Sequence, residues 1–224
     1  MPPRLTRPSE FLFRRISALW PLGVLALFVG LWEAVALWGP FSEALMPSPV
    51  AVGRGIAELA TENNLASHAV SSLLRVAAGF GAAALLGVPA GLLLGWYSRA
   101  RAAFDPLIQI LRPISPIAWI PLAILWFGIG SPAAVFIIFL TSLFPILITT
   151  AAAVREIDPA VLKVAANFGT PRPLLFRAVI FPACFPQIVV ALRVSLGIAW
   201  VIIVAAEMVG MRSGLGFLIL DSRN

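Results

Sequence analysis

Residues 183–206 read ACFPQIVVALRVSLGIAWVIIVAA, with Arg193 as the one charge in the run. A helix needs about 20 apolar residues to cross a hydrocarbon core, and this stretch supplies them without a break. A membrane-barrel strand would alternate apolar and polar residues; this stretch does not, so the span is helical. Working outward, four further runs meet the same test: residues 132–154, 106–127, 76–96 and 20–38. The expected fold class is an all-α membrane protein, a polytopic helical bundle of about five spans.

Composition points the same way. Of 224 residues, 60% are hydrophobic and only 12% charged, about half the charged share of a soluble domain. A soluble globule of this size has too little interior to hide that much apolar surface. Cys184 is the only cysteine and His68 the only histidine, which excludes an intrachain disulfide, a cysteine metal cluster and a multi-histidine relay. The net charge of +6 is spread among apolar runs. No basic cluster carries interleaved aromatics, so no nucleic-acid partner is expected.

In such a chain Lys and Arg report topology first. Arg4, Arg7, Arg14, Arg15, Arg99, Arg101, Arg155, Lys163, Arg172 and Arg177 fall on one side of the five spans. Arg54, Arg212 and Arg223 fall on the other. That asymmetry places the N-terminal segment, residues 1–19, and the connection 155–181 in the cytoplasm. On the opposite side, Pro47-Ser48-Pro49 marks a turn before a short helix. The third and fourth spans, joined only around Gly128 to Ser131, form a tight antiparallel pair.

The connection 155–182 is too long for a simple turn. Glu156, Asp158 and Pro159 make a helix start. Val161, Leu162, Ala165 and Ala166 recur at helical spacing. Gly169, with Thr170 and Pro171, ends that helix and turns the chain. A second apolar helix then begins near Leu174, and Pro182 is expected to stop it and start the next span. Two readings are open: an ordinary interfacial hairpin, or a docking knob for a cytoplasmic partner.

Lys163-Val164-Ala165-Ala166-Asn167-Phe168-Gly169, with Pro182 thirteen residues after the glycine, resembles the EAA loop of ABC importer permeases. Lys163 stands where that family often has Glu, and Val164 where it often has Ala. The segments Arg112 to Leu122, Trp126-Phe127-Gly128-Ile129-Gly130, Pro186-Gln187-Ile188, Ala205-Ala206-Glu207-Met208 and Gly214-Leu215-Gly216 resemble the nitrate, sulfonate, taurine and bicarbonate branch. The resemblance implies a type I ABC importer transmembrane domain over residues 20–224, in a bacterial inner membrane. It implies a second permease chain as homodimer partner, an ABC ATPase subunit that binds the ATP, and a periplasmic or extracellular substrate-binding protein. This chain would carry no cofactor and no metal, and it has no phosphate-binding loop of the GxxxxGK[ST] type. Lys163 to Gly169 and Pro182 would couple it to the ATPase. Family members usually have a sixth span after the Gly-Leu-Gly-Phe segment, so the domain is expected to be C-terminally incomplete.

Ionisable groups at membrane depth are costly and usually face a cavity or a partner. Arg193 lies about eleven residues past Pro182, roughly 16 Å along a helix and near mid-bilayer. Arg193 and Ser195 are candidates for a translocation path that attracts an oxyanion; pairing of Arg193 between helices is the structural alternative. Glu207 near the outer end of the fifth span and Ser115 in the proline-broken third span are further path candidates. Arg75 and Arg112 are expected to snorkel to the interface. A different class of function, an ion-coupled secondary transporter or channel, would rely on Glu33 and Glu207 as coupling acids. A non-transporting scaffold would leave Arg193 and the hairpin unexplained.

Overall fold

The computed structural model describes residues 8–40, 42, 45–62 and 65–222. Arg4, Arg7 and Arg223 of the topology count lie outside them. The described residues contain helices and turns and no strand. Four helical segments are long and apolar enough to cross a membrane, and a sharply bent pair brings the number to five. The chain divides into two compact units, residues 1–65 and 66–224.

The first unit holds α1 (Pro8–Trp38) and α2 (Pro49–Glu62). Helix α1 begins ahead of the expected span at residue 20, which it contains. The Trp32 indole N–H donates to the Pro47 carbonyl at 3.1 Å and pins the following turn to α1. The Ser48 hydroxyl then accepts from the Ala51 N–H at 3.2 Å, and Pro49 occupies a first-turn position where no N–H is needed. The Pro-Ser-Pro turn thus starts a helix, as its chemistry requires.

The second unit begins one residue into α3 (Leu65–Trp96), a helix that extends the expected second span toward its N-terminus. The third span differs most from expectation. It comprises α4 (Ser98–Leu111), a 3₁₀ turn (Pro116–Trp119) and α5 (Ile120–Phe127), bent by 87° at the break. Pro113 and Pro116 each lack a backbone donor, and Ser115 before Pro116 is extended (φ −57°, ψ 131°), the conformation a following proline favours. Next come α6 (Ser131–Arg155), α7 (Pro159–Asn167), α8 (Arg172–Leu175), a π turn (Phe176–Ile180), α9 (Phe181–Gly210) and α10 (Leu215–Asp221).

The start of α6 packs on the end of α9, with Ala134, Ile137 and Ile138 meeting Ala199 and Ile203. Its end packs on the beginning of α9, where Val154 joins Ile180, Cys184 and Ile188. The two helices are therefore antiparallel. Helix α3 runs alongside α6 at a constant register: Gly79 faces Ile138, Gly91 faces Thr150 and Gly95 faces Val154. Small residues spaced by fours let two backbones approach closely, the main source of packing energy where lipid replaces water. A Cβ on Gly91 would lie 2.6 Å from Thr150 Cβ and 2.7 Å from the Leu147 carbonyl, so there is no room for a side chain. Gly91→Leu is expected to lower thermal stability in detergent by ~1–3 kcal/mol or more. Gly81→Leu, at a position with nothing within 4 Å, is expected to be near neutral. Equal melting of the two variants would refute this close-packed seam.

Candidate functional site

The hairpin between α6 and α9 is built by local chemistry. Asp158 caps α7, its Oδ1 accepting from the Ala160 N–H at 2.8 Å, and Pro159 follows it in the first turn. At the other end the Gly169 N–H donates to the Ala166 carbonyl at 2.9 Å and the Thr170 N–H to the Ala165 carbonyl at 3.1 Å. These two bonds form the Schellman pattern, with Gly169 in the left-handed region at φ +64°. The helix start and stop read from sequence are both present.

The hairpin has an anchored base and an open face. Ile157, Leu175 and Phe176 pack onto the cluster of Val154, Ile180, Cys184 and Ile188, and Phe176 meets Trp96 edge-on at 5.3 Å. On α7 only Ala165 is buried. Val161, Val164 and Phe168, at helical spacing, are exposed, Phe168 to 84%. Lys163, Ala166, Asn167 and Gly169 are exposed with them. The capped helix thus presents an apolar stripe that nothing covers among the described residues.

Pro182 does not stop the second helix, contrary to expectation. From Arg172 the chain continues helically to Gly210. The reason lies in the π turn: the Phe181 N–H donates to the Phe176 carbonyl, five residues back. The wider turn shifts the carbonyls where Pro182 brings a ring and no donor. Helix α8, the π turn and α9 thus form one continuous helical segment, Arg172–Gly210.

A buried polar cluster ties α3 to the turn after α9. Arg75 Nη1 lies 2.7 Å from Glu207 Oε1, with Arg75 8% and Glu207 1% exposed. Arg75 also donates to the Ser213 carbonyl (2.8 Å), the Ser213 hydroxyl (2.6 Å) and the Ser131 hydroxyl (2.9 Å). Glu207 accepts from the Ser72 hydroxyl and, at 2.9 Å, from the Gly216 N–H. Ser72 in turn accepts from the Leu215 N–H at 2.9 Å, and His68 Nδ1 accepts from the Gly214 N–H at 3.0 Å. His68 also stacks on Phe217. Arg75 therefore does not snorkel, because a counter-charge waits at its own depth. The sequence offered only a weak signal: Arg75 and Glu207 have opposite charge and fall near span ends on the same side of the five expected spans. Glu207 is fully engaged, which removes it as a free ion-coupling acid.

The remaining path candidates occupy different environments. Arg193 is exposed on α9 and Ser115 is exposed at the break of the third span. Ser195 is fully buried, and its hydroxyl has no hydrogen-bond partner among the described residues, as is true of Ser142 and Thr150 on α6. Beside the break lies a cavity of about 340 Å³. It is lined by Arg112 and residues of the broken span, by the middle of α6, and by Ile198 of α9. Arg112 sits at this break, exposed and beside the cavity. The bend, which sequence periodicity could not dimension, put it there.

Comparison with known proteins identifies the family. The profile of the family described as binding-protein-dependent transport system inner membrane component matches residues 87–224. The taurine transport system permease protein of Escherichia coli is 32% identical over 219 residues, 92% of this chain and 80% of the relative. A putative aliphatic sulfonates transport permease protein of Bacillus subtilis is 35% identical, over 91% of this chain and 75% of the relative. The bicarbonate transport system permease protein of Synechococcus elongatus is 42% identical, over 68% of this chain and 55% of the relative.

Proposed function

This chain belongs to the family of binding-protein-dependent transport system inner membrane components, as an ABC transporter permease of the taurine, sulfonate and bicarbonate type, and we propose that it is the membrane subunit of an ATP-driven importer of a small oxyanion. Sulfonate, taurine, nitrate and bicarbonate are the substrate class. The observation that carries the reading is the hairpin: a capped helix with exposed Val161, Val164 and Phe168, joined through an unbroken helix to α9.

In this reading two copies of the chain pair with two ATPase subunits that bind the ATP, and an external binding protein delivers the substrate. The N-terminus and the hairpin are cytoplasmic. The segment Lys163 to Gly169 docks on the ATPase, and Pro182 lies where the hairpin joins the spans. ATP binding shifts the hairpin only if the ATPase holds it differently in its two states. Arg193 and Ser115 are free to face the path. Ser195 is uncovered as α6 and α9 part, and Glu207 acts near the outer end through its tie to Arg75.

The test is affinity purification of the tagged chain from its native membrane in mild detergent, with mass spectrometry of what accompanies it. Recovery of an ABC ATPase, with no ATP hydrolysis by the chain alone, is expected. Hydrolysis by the isolated chain, or uptake that follows an ion gradient and ignores ATP depletion, would refute the reading.

A further inference from the structure

We infer that His68 is a pH-sensitive latch: its neutral ring holds the turn after α9, over Ser213 to Gly216, against α3, and its protonation lets that turn go. The latch goes beyond the importer reading above and stands on the geometry of the turn itself. In that reading the turn lies at the outer end of the spans, so the external pH would set it.

His68, Ser72 and Arg75 stand at i, i+4 and i+7 and so share one face of α3. Three successive backbone N–H groups of the turn are spent on this face and on Glu207. The Gly214 N–H donates to His68 Nδ1 at 3.0 Å, the Leu215 N–H to the Ser72 hydroxyl at 2.9 Å and the Gly216 N–H to Glu207 at 2.9 Å. Arg75 adds a bond to the Ser213 carbonyl at 2.8 Å. The turn fits closely: Gly214, at φ +121°, has no room for a side chain, because a Cβ would run into the Glu207 carboxylate.

Among these three acceptors, Ser72 and Glu207 are buried, whereas His68 is partly exposed. Imidazole is also the side chain that ordinarily gains a proton between about pH 5 and 8. A backbone N–H can only donate, so Nδ1 meets Gly214 with its lone pair and the neutral ring carries its proton on Nε2. The imidazolium has no lone pair. A proton on Nδ1 would set donor against donor at Gly214.

The charged groups on the surrounding elements do not remove this conflict. Arg75, two turns along α3, and Arg212, in the turn itself, are cations. Glu207 of α9 is engaged by Arg75, Ser72 and Gly216. Asp221 is exposed at the far end of α10. Phe217 stacks on the His68 ring at 5.9 Å and 13°. Its face attracts an imidazolium, which offsets part of the loss and holds the ring in place while the bond to Gly214 breaks.

The test is amide hydrogen exchange of the chain, with whatever purifies with it, in lipid nanodiscs at about pH 7.5 and about pH 5.5, on either side of ordinary imidazole titration. Mass spectrometry follows the peptide spanning residues 211–217, with each rate divided by the intrinsic exchange rate at that pH. Opening of the turn is expected to rise ~fivefold at the lower pH, the worth of one hydrogen bond, while peptides of α6 keep their protection. His68→Asn, whose side-chain oxygen can accept from Gly214 and does not titrate, is expected to hold the turn at both pH values. His68→Leu has no acceptor and is expected to leave it open at both. Equal protection of the wild-type turn at the two pH values would overturn the latch. So would the same rise in His68→Asn, which would assign the response to Glu207. If His68→Leu fails to fold, the wild type and His68→Asn still decide the matter. If no ATPase accompanies the chain, the importer reading fails, and the exchange comparison still decides the latch.

Discussion

Glu207→Ala is expected to cost ~3–5 kcal/mol of stability, the usual effect of removing one member of a buried ion pair. The Arg75 guanidinium would stay buried beside Ser131 and Ser213 with its counter-charge gone. The Gly216 N–H and the Ser72 hydroxyl would lose their acceptor at the same time. The turn over Gly214 to Gly216 is expected to detach from α3. Thermal unfolding in nanodiscs measures the loss, and limited proteolysis near Arg212 reports the detachment. Glu207→Gln keeps one acceptor oxygen, enough for the Gly216 N–H or the Ser72 hydroxyl, but not the charge, and should fall between. The decisive comparison is Arg75→Met with Glu207→Leu. Removing both charges removes the desolvation penalty with the attraction, so the double variant should recover most of the stability lost by either single change. A double variant no more stable than the single ones would show that charge pairing is not what binds these segments.

Gly169→Trp is expected to uncouple ATP hydrolysis from uptake. At φ +64° a residue with a β-carbon costs about 1–2 kcal/mol, enough to shift the hairpin's conformational populations about tenfold. No side chain stands in the way at Gly169, so the defect is one of backbone angle and of bulk at the docking face. The chain should therefore fold and reach the membrane. Uptake by the intact transporter in proteoliposomes should drop at least about tenfold while the ATPase continues to turn over. Gly169→Asn, a residue that tolerates this region, should retain much of the uptake. Normal transport by Gly169→Trp would sink the assignment of this hairpin as the coupling element.

These two sites differ in how legible they were. The hairpin is a local object. Asp158 and Pro159 start α7 and Gly169 stops it because capping depends on residues a few positions apart, and such chemistry is written in order along the chain. The tight joint between α5 and α6, at Gly128 to Ser131, is legible for the same reason. Family motifs extended that reading to a partner and a mechanism. The Arg75–Glu207 pair joins residues 132 positions apart, and nothing in the local pattern of either residue names the other. Arg75 looked like a charge near a span end, for which reaching water is the ordinary solution, and Glu207 like a residue of the path.

The helical nature of the spans and their approximate places followed from the sequence alone, because long unbroken apolar runs fit a hydrocarbon core only as helices with their backbone bonds satisfied internally. The same holds for the limits of α7. Tertiary structure alone decided how those helices treat their exceptions. The π turn carries the helix through Pro182, because a wider turn accommodates the missing donor and the ring. The 87° bend at Arg112 to Ser115 brings a cation to the wall of a cavity. Burial against α3 and the α9–α10 turn makes an ion pair of Arg75 and Glu207. Each outcome depends on what lies across from a residue in space, and the energy of a buried charge is set by that neighbour and not by its place in the chain.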